Sequence, residues 1–403
     1  MIPIRRLSRR RKTTVLVAIM SFVALVAVGV AQAIGSASTP LAVRTVTVQR
    51  AVGRPPGLFV ASGRVEGARN STLAAKASSP LSGWIAPVAV PTADGGQLVY
   101  STWRELRHDD PKLSWSKQGI KPGDALATPM LRIHDFRSGR DKVVDKNSFS
   151  AAVRSDGTLA YVRGTDVYRA FTNYTGDVVV RSSLSTRPVV WSTEPAEYVV
   201  AAWAGSTLLA YRIAEGEKLD VLAFDGPGRQ RLLMADSNLV AVSPDGTQAL
   251  LANEAGMPGS ISVVNVADGT IAATLDLGPL NQGILWAAYG GSWSDDLVAA
   301  PTNVGIAVFG ISAGSISLEE LLKNDPGTFA NGLIEPQFSG DTKHIVARGD
   351  AAPDPNAGSD EGSTAALECD LTSATCLART TEPGSAWLHP AYNPSRPSRG
   401  GSS

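Results

Sequence analysis

The sequence predicts an all-β protein, a β-propeller of six or seven four-stranded blades preceded by one N-terminal transmembrane helix. Three observations predict it. A turn centred on Asp recurs at intervals of about 40 to 60 residues, the length of one propeller blade, and runs each time into a β-rich stretch. Between successive turns stands a second element: an apolar run breaks at a few small or polar residues, usually with Gly, and resumes as another β-rich run, as in a hairpin. The 39 Gly and 25 Pro among 403 residues suit many short strands and argue against long helices.

Residues 1–12 are basic, with Arg5, Arg6, Arg9, Arg10, Arg11 and Lys12 crowded together, and Thr13 to Ile34 then carries no charged side chain. As a helix that stretch rises about 33 Å, enough to cross a hydrocarbon core of roughly 30 Å. The cations ahead of it leave the N-terminus cytoplasmic and send the rest outside. Ala31-Gln32-Ala33 is also a cleavage signal of the A-x-A type. The segment is therefore either an uncleaved single-pass anchor in the cell membrane or a signal removed after Ala33 to release a secreted form. Its apolar length exceeds that of the usual signal core, which favours the anchor. A short linker at 35–42 leads into the propeller, expected over 43–393, and 394–403 has a disordered composition.

The clearest turn is Ser243-Pro244-Asp245-Gly246, entered from Val240-Ala241-Val242 and left through Gln248-Ala249-Leu250-Leu251. Further copies are Ser155-Asp156-Gly157, Trp293-Ser294-Asp295-Asp296 and Phe338-Ser339-Gly340-Asp341, with weaker ones at Pro91–Gly96 and Trp191–Pro195. Asp suits these places because it bonds its own following backbone, and Gly because it accepts positive φ. The hairpins, expected between the two outer strands of each blade, are Ile133–Gly139, Phe171–Gly176, Tyr211–Gly216, Val263–Gly269, Val308–Gly314 and Cys369–Ala374. Six turns thus alternate with six hairpins in order. At the chain ends, three β-like runs (Val43–Val48, Leu58–Val65 and Ser71–Ala75) and the C-terminal Ala386–Tyr392 are expected to join as a seventh, composite blade. If the N-terminal stretch is mainly a stalk, the ring has six; seven is favoured.

The Ser-Pro-Asp-Gly turn at Ser243 to Gly246, repeated as Ser155-Asp156-Gly157 and Ser294-Asp295, resembles the WD40-like repeats of the TolB-type propeller family over about residues 80 to 392. The resemblance implies an extracytoplasmic, non-enzymatic propeller that binds other proteins; similar blades serve as gating domains in some peptidases.

Candidate chemistry is sparse. Net charge is zero, with 37 basic and 37 acidic residues, so no global field favours nucleic acid. Gly310-Ile311-Ser312-Ala313-Gly314 matches a G-x-S-x-G nucleophile elbow, but coincides with an outer hairpin of the repeat. The four histidines, His108, His134, His344 and His389, show no metal-ligand spacing, and His134 and His344 fall inside expected strands. Asp109-Asp110 reads as a solvated charged turn rather than a cation site. No catalytic residue, metal or cofactor is assigned. Cys369 and Cys376 flank the last hairpin and are expected to form a disulfide, as the exported side permits. Residues 103–129 interrupt the blade spacing with Trp103, His108, Asp109, Asp110 and Trp115, which reads equally as a protein or glycan contact on a loop or as a loop that folds over its blade. A second interruption, 351–363, is acidic and rich in Pro, Gly and Ser.

The expected function is a membrane-tethered binding module or scaffold for another protein or a cell-envelope component. The alternative is an exported propeller enzyme of the glycan lyase or hydrolase type, with carboxylates at the channel mouth.

Overall fold

The computed structural model describes residues 42–50, 58–61, 64–66, 71–72, 89–92, 96–106 and 126–135, most of 137–351, and 364–380 and 386–389. Residues 1–41, with the expected transmembrane helix and cleavage signal, lie outside the described residues, as does the tail 394–403. Among the described residues no helix is long and apolar enough to cross a membrane.

The described chain is a succession of antiparallel four-stranded units. Sheet 1 runs Ala89–Pro91, Gln97–Leu106, Leu126–Asp135 and Arg140–Lys146; sheet 2 Ser148–Val153, Leu159–Gly164, Thr175–Arg181 and Val189–Val190. Sheet 3 runs Ala196–Ala204, Thr207–Ile213, Leu219–Gly226 and Arg229–Met234; sheet 4 Ser237–Val242, Gln248–Asn253, Ser260–Asn265 and Ile271–Asp276. Sheet 5 runs Ser292–Ser294, Leu297–Thr302, Gly305–Ser312 and Ser315–Lys323; sheet 6 Phe329–Phe338, His344–Ala351, Thr364–Asp370 and Thr375–Thr380. Sheets 2 and 3 are continuous through pairs of Thr175 and Gly176 with Glu197 and Ala196.

Burial explains the composition of the strands. Middle strands are apolar on both faces, as in Leu208–Tyr211 and Val221–Phe224, because a neighbouring sheet covers each side. Outer strands alternate or are open, as in Ile271–Asp276. Shared cores join consecutive sheets: Val99, Leu131, Tyr161 and Val179 between 1 and 2; Val162, Tyr198, Tyr211, Phe224 and Leu251 through 2, 3 and 4. Leu250, Val263, Ala300 and Phe309 join 4 to 5, and Ile306, Val308, Ile345 and Leu367 join 5 to 6. The first strands of sheets 2, 3 and 4 each carry a bulge, at Phe149/Ala151, Val200/Ala202 and Leu239/Ala241. A bulge bends a strand and increases its twist, and its recurrence is a feature of the repeat that the residue pattern did not disclose.

The chain ends combine much as expected, with one change of partner. Ala386–His389 pairs with Leu58–Ala61, which pairs with Arg64–Glu66, and that with Ser71–Thr72, giving one C-terminal and three N-terminal strands. The three come from 58–72 alone, because Leu58–Val65 folds as a hairpin of two strands rather than as one run. The run Val43–Val48 goes elsewhere. Ala42–Thr45 adds to the outer edge of sheet 5 and Thr47–Arg50 adds in parallel to that of sheet 6, where Val48 stands opposite Cys376. Arg44 fastens this strap, pairing with Glu320 at 3.3 Å and donating to the carbonyls of Leu371 and Thr372. Ala386–His389 also neighbours strands of both sheet 6 and sheet 1.

Three expected repeat elements are displaced by one strand. Trp191–Pro195 precedes sheet 3, whose first turn is Gly205-Ser206; Tyr211–Gly216 and Phe171–Gly176 join second strands to third. The outer hairpins of sheets 2 and 3 are 182–188 and the Gly226–Gly228 corner. In sheet 3 the first turn holds no Asp, and the nearest polar cluster that resembles one is Trp191–Pro195, before the first strand.

Candidate binding surfaces

In an antiparallel four-stranded sheet the 1–2 turn and the 3–4 hairpin leave at one end, and the 2–3 connection leaves at the other. The sheets therefore present a turn end and a loop end. The two long interruptions, 107–125 and 352–363, both join a second strand to a third and so belong to the loop end. The first is shorter than expected. Trp103 is part of the strand Gln97–Leu106, opposite Pro129, and the ladder continues to Leu106 opposite Leu126. His108, Asp109, Asp110 and Trp115 lie outside the described residues.

The turn end is ordered by carboxylates. Asp245 Oδ1 accepts the backbone N–H of Thr247 at 3.0 Å, the Thr247 hydroxyl at 2.8 Å and the Ser243 hydroxyl at 2.7 Å. Asp156 accepts the Thr158 N–H at 2.9 Å, Asp268 that of Thr270 at 2.9 Å, Asp341 that of Lys343 at 2.9 Å and Asp370 that of Thr372 at 2.7 Å. These bonds favour the ionised form. The Thr247 N–H is the main cause holding Asp245 below the ordinary carboxylate range, and the Thr270 and Thr372 N–H groups act likewise on Asp268 and Asp370. Asp156 is lowered first by the guanidinium of Arg154, at 2.7 Å, and Asp341 first by the ring of His344, at 3.0 Å, which is itself raised by that carboxylate. Four of the five carboxylates sit in an Asp-x-Thr triplet, a signal present in the sequence and passed over there.

The turn of sheet 5 departs from this rule. Asp295 and Asp296 are followed two positions on by Leu297 and Val298, and among the described residues neither carboxylate accepts a hydrogen bond or joins an ion pair. Asp295 adopts φ 51°, and its backbone carbonyl accepts the Trp293 indole N–H at 3.0 Å. This turn forms one wall of a cleft of about 420 Å³ between sheets 4 and 5. The Asp245 turn forms the other wall, with Val263, Ala272 and Ala273 behind it and the Ile311–Gly314 hairpin alongside. Among the described residues three carboxylates and no cationic side chain line it.

The remaining chemistry-bearing residues are structural in their contacts. Ser312, in the G-x-S-x-G match, is the last residue of a strand that turns back at once into Ser315–Lys323, whereas a nucleophile elbow needs a helix there. Its hydroxyl meets that of Ser315 at 2.5 Å. His134 is buried in sheet 1, with Nδ1 3.2 Å from Asp141. Cys369 and Cys376 are directly opposed, disulfide-bonded and fully buried. Tyr161 and Arg163 of sheet 2 close on Asp145 of sheet 1 at 2.7 Å and 3.0 Å, and burial pushes the Tyr161 hydroxyl up to about 12. No group of metal-ligating side chains occurs among the described residues.

No protein-family model matches the chain, and no curated protein sequence matches it. Solved structures do. TolB from Acinetobacter baumannii is 13% identical over 74% of this chain and 56% of its own, with a TM-score of 0.37, so the chain spans less than two thirds of that protein. The β-propeller domain of the trilobed protease from Pyrococcus furiosus is 11% identical over 71% of this chain and 83% of that one, with a TM-score of 0.42. An oligogalacturonate lyase in complex with manganese is 11% identical over 64% and 84%, also with a TM-score of 0.42. The structural neighbours are thus TolB and other β-propeller proteins, enzymes among them. At these identities and TM-scores the architecture rests on the strand order and register above.

Proposed function

We propose that the sheets form a seven-bladed ring and that the chain is an extracytoplasmic, membrane-tethered propeller, a binding module or scaffold for another protein or a cell-envelope component. The ring is supported by the position of Ala386–His389, which pairs with N-terminal strands and neighbours both sheet 6 and sheet 1. The composite sheet is then the seventh blade. Export and tethering are supported by the uncharged Thr13–Ile34 behind its basic cluster, and by a disulfide that persists in an oxidising compartment.

The observation that carries the binding function is the placement of the two long connections, 107–125 and 352–363, at the same end of a regular frame. Long segments held by a rigid scaffold are where recognition concentrates, and Trp115 and His108 lie in the first of them. The test is affinity capture from membranes by the full chain and by a variant with 107–125 replaced by a short Gly-Ser linker. The proposal expects a defined partner that the variant loses while its melting temperature is kept. An unchanged partner set would overturn the loop assignment, and steady turnover of a glycan by the purified chain would replace the module with the enzyme alternative.

A further inference from the structure

We infer that the cleft between sheets 4 and 5 is a docking site for an arginine or lysine side chain carried on an extended polypeptide. The site lies at the turn end, away from the loop-end partner, and stands or falls separately from it.

The cleft offers the three things such a side chain needs. Its aliphatic stem requires an apolar bed, supplied by Val263, Ile311 and the ring of Trp293. Its charge requires an anion that is not already engaged. Asp245 is held by its own turn, but among the described residues Asp295 and Asp296 hold nothing, so their charges are available to a guest at no cost to the turn. An indole face adds attraction for a cation, worth about 0.5–1 kcal/mol at an exposed site, and more for the planar guanidinium that can stack on it. Adjacent carboxylates also repel one another, and a cation between them removes that repulsion.

The shape points to a polypeptide rather than a free small cation. The lining runs from the inner turns of both sheets out to Ala272 on the fourth strand of sheet 4 and to the outer hairpin of sheet 5. Four strands at ~4.8 Å spacing span about 14 Å, the length of some four extended residues. A volume of 420 Å³ falls within the usual range for ligand sites, roughly 300–1,000 Å³, and exceeds what one side chain fills.

The probe is the tetrapeptide Ac-Ala-Arg-Ala-Ala-amide, titrated calorimetrically into the full chain in detergent micelles. All-Ala and Glu-for-Arg counterparts and free agmatine serve as comparisons. Binding of the Arg peptide is expected, with at least a tenfold loss in the double variant Asp295→Asn/Asp296→Asn and about a fivefold loss in Trp293→Ala. Affinity should fall with added salt in the native chain and stay flat in the double variant. Ser312→Arg, which places an intramolecular cation on the exposed hairpin beside the cleft, should abolish binding while the fold is kept. Equal binding of the Arg and Glu peptides, or full affinity in both the double variant and Ser312→Arg, would overturn the site. Agmatine binding as tightly as the peptide would overturn the polypeptide as its carrier. A chain that still captures its loop-end partner yet ignores the Arg peptide would sink this inference and leave the binding module intact.

Discussion

The two turns that face each other across the cleft, Ser243–Thr247 of sheet 4 and Trp293–Leu297 of sheet 5, occupy the same place in the repeat and use their carboxylates differently. In the first, Asp245 closes its own turn through Ser243 and Thr247. In the second, the turn is held without a side-chain carboxylate, and the indole of Trp293 bonds the Asp295 carbonyl instead. One difference stands two residues after the carboxylate: Thr247 offers Asp245 both an N–H and a hydroxyl, whereas Leu297 is half-buried and Val298 buried as apolar residues of the second strand. A carboxylate needed for the frame and a carboxylate left to solvent look alike in the sequence, although four of the five that close their turns are followed two places on by Thr.

The largest expected effect sharpens the comparison on the structural side. Gly246 adopts φ +71°, and a Cβ there would lie 2.3 Å from the backbone nitrogen of Gly205, on the first turn of sheet 3. Backbone cannot rotate aside, so Gly246→Ala should cost about 3 kcal/mol or more in chemical denaturation. Gly157, at φ +85° in the matching turn of sheet 2, faces open space. Gly157→Ala should cost only about 1–2 kcal/mol, the left-handed penalty alone. Equal losses would mean that the turns of sheets 3 and 4 do not abut.

Next comes the disulfide, which closes a short hairpin where the strap strand Thr47–Arg50 docks. Cys369→Ser/Cys376→Ser should destabilise by about 2–3 kcal/mol from lost loop constraint, with a further penalty for two buried hydroxyls. Urea unfolding with and without dithiothreitol measures it, and the double variant should no longer respond to the reductant.

The pH dependence reports on the carboxylates that close their own turns. Asp245, Asp268 and Asp370 have folded pKa values below their unfolded ones. Their contribution is present above the ordinary carboxylate value and is lost as pH falls through the lowered one. Melting curves from pH 7 downward should therefore show falling stability in the acid range. Asp245→Ala should reduce that slope.

The smallest effect concerns the strap. Arg44→Ala removes the counter-ion of Glu320, whose carboxyl burial already raises, and the bonds to two carbonyls. It should cost about 1 kcal/mol, with faster amide exchange over 42–50 and none elsewhere.

The frame was largely legible because its physics is local. Asp-centred turns and two-sided apolar runs mark strands by composition, and four of the six outer hairpins stand where the pattern put them. Sheet 3 was shifted by a strand because its first turn, Gly205-Ser206, has no Asp and so carries no mark. The composite sheet was legible as a count of strands but not as a choice of strands: two β-like runs compete for the same edge, and only tertiary packing sends 42–50 to sheets 5 and 6. The cleft was not legible at all. It is built from residues of two sheets, and its one sequence trace is the missing Thr after Asp295 and Asp296.

The central claim, that one carboxylate holds the frame while its neighbour across the cleft is free for a ligand, is tested most directly by scanning calorimetry of Asp245→Ala beside Asp296→Ala at neutral pH. Loss of the turn bonds should lower the stability of Asp245→Ala by about 1 kcal/mol, a shift of roughly 1–3 °C in a domain of this size. Asp296→Ala should melt with the native chain or slightly above it, since only a repulsive charge is removed. Equal losses in both variants, or a loss confined to Asp296→Ala, would contradict the account.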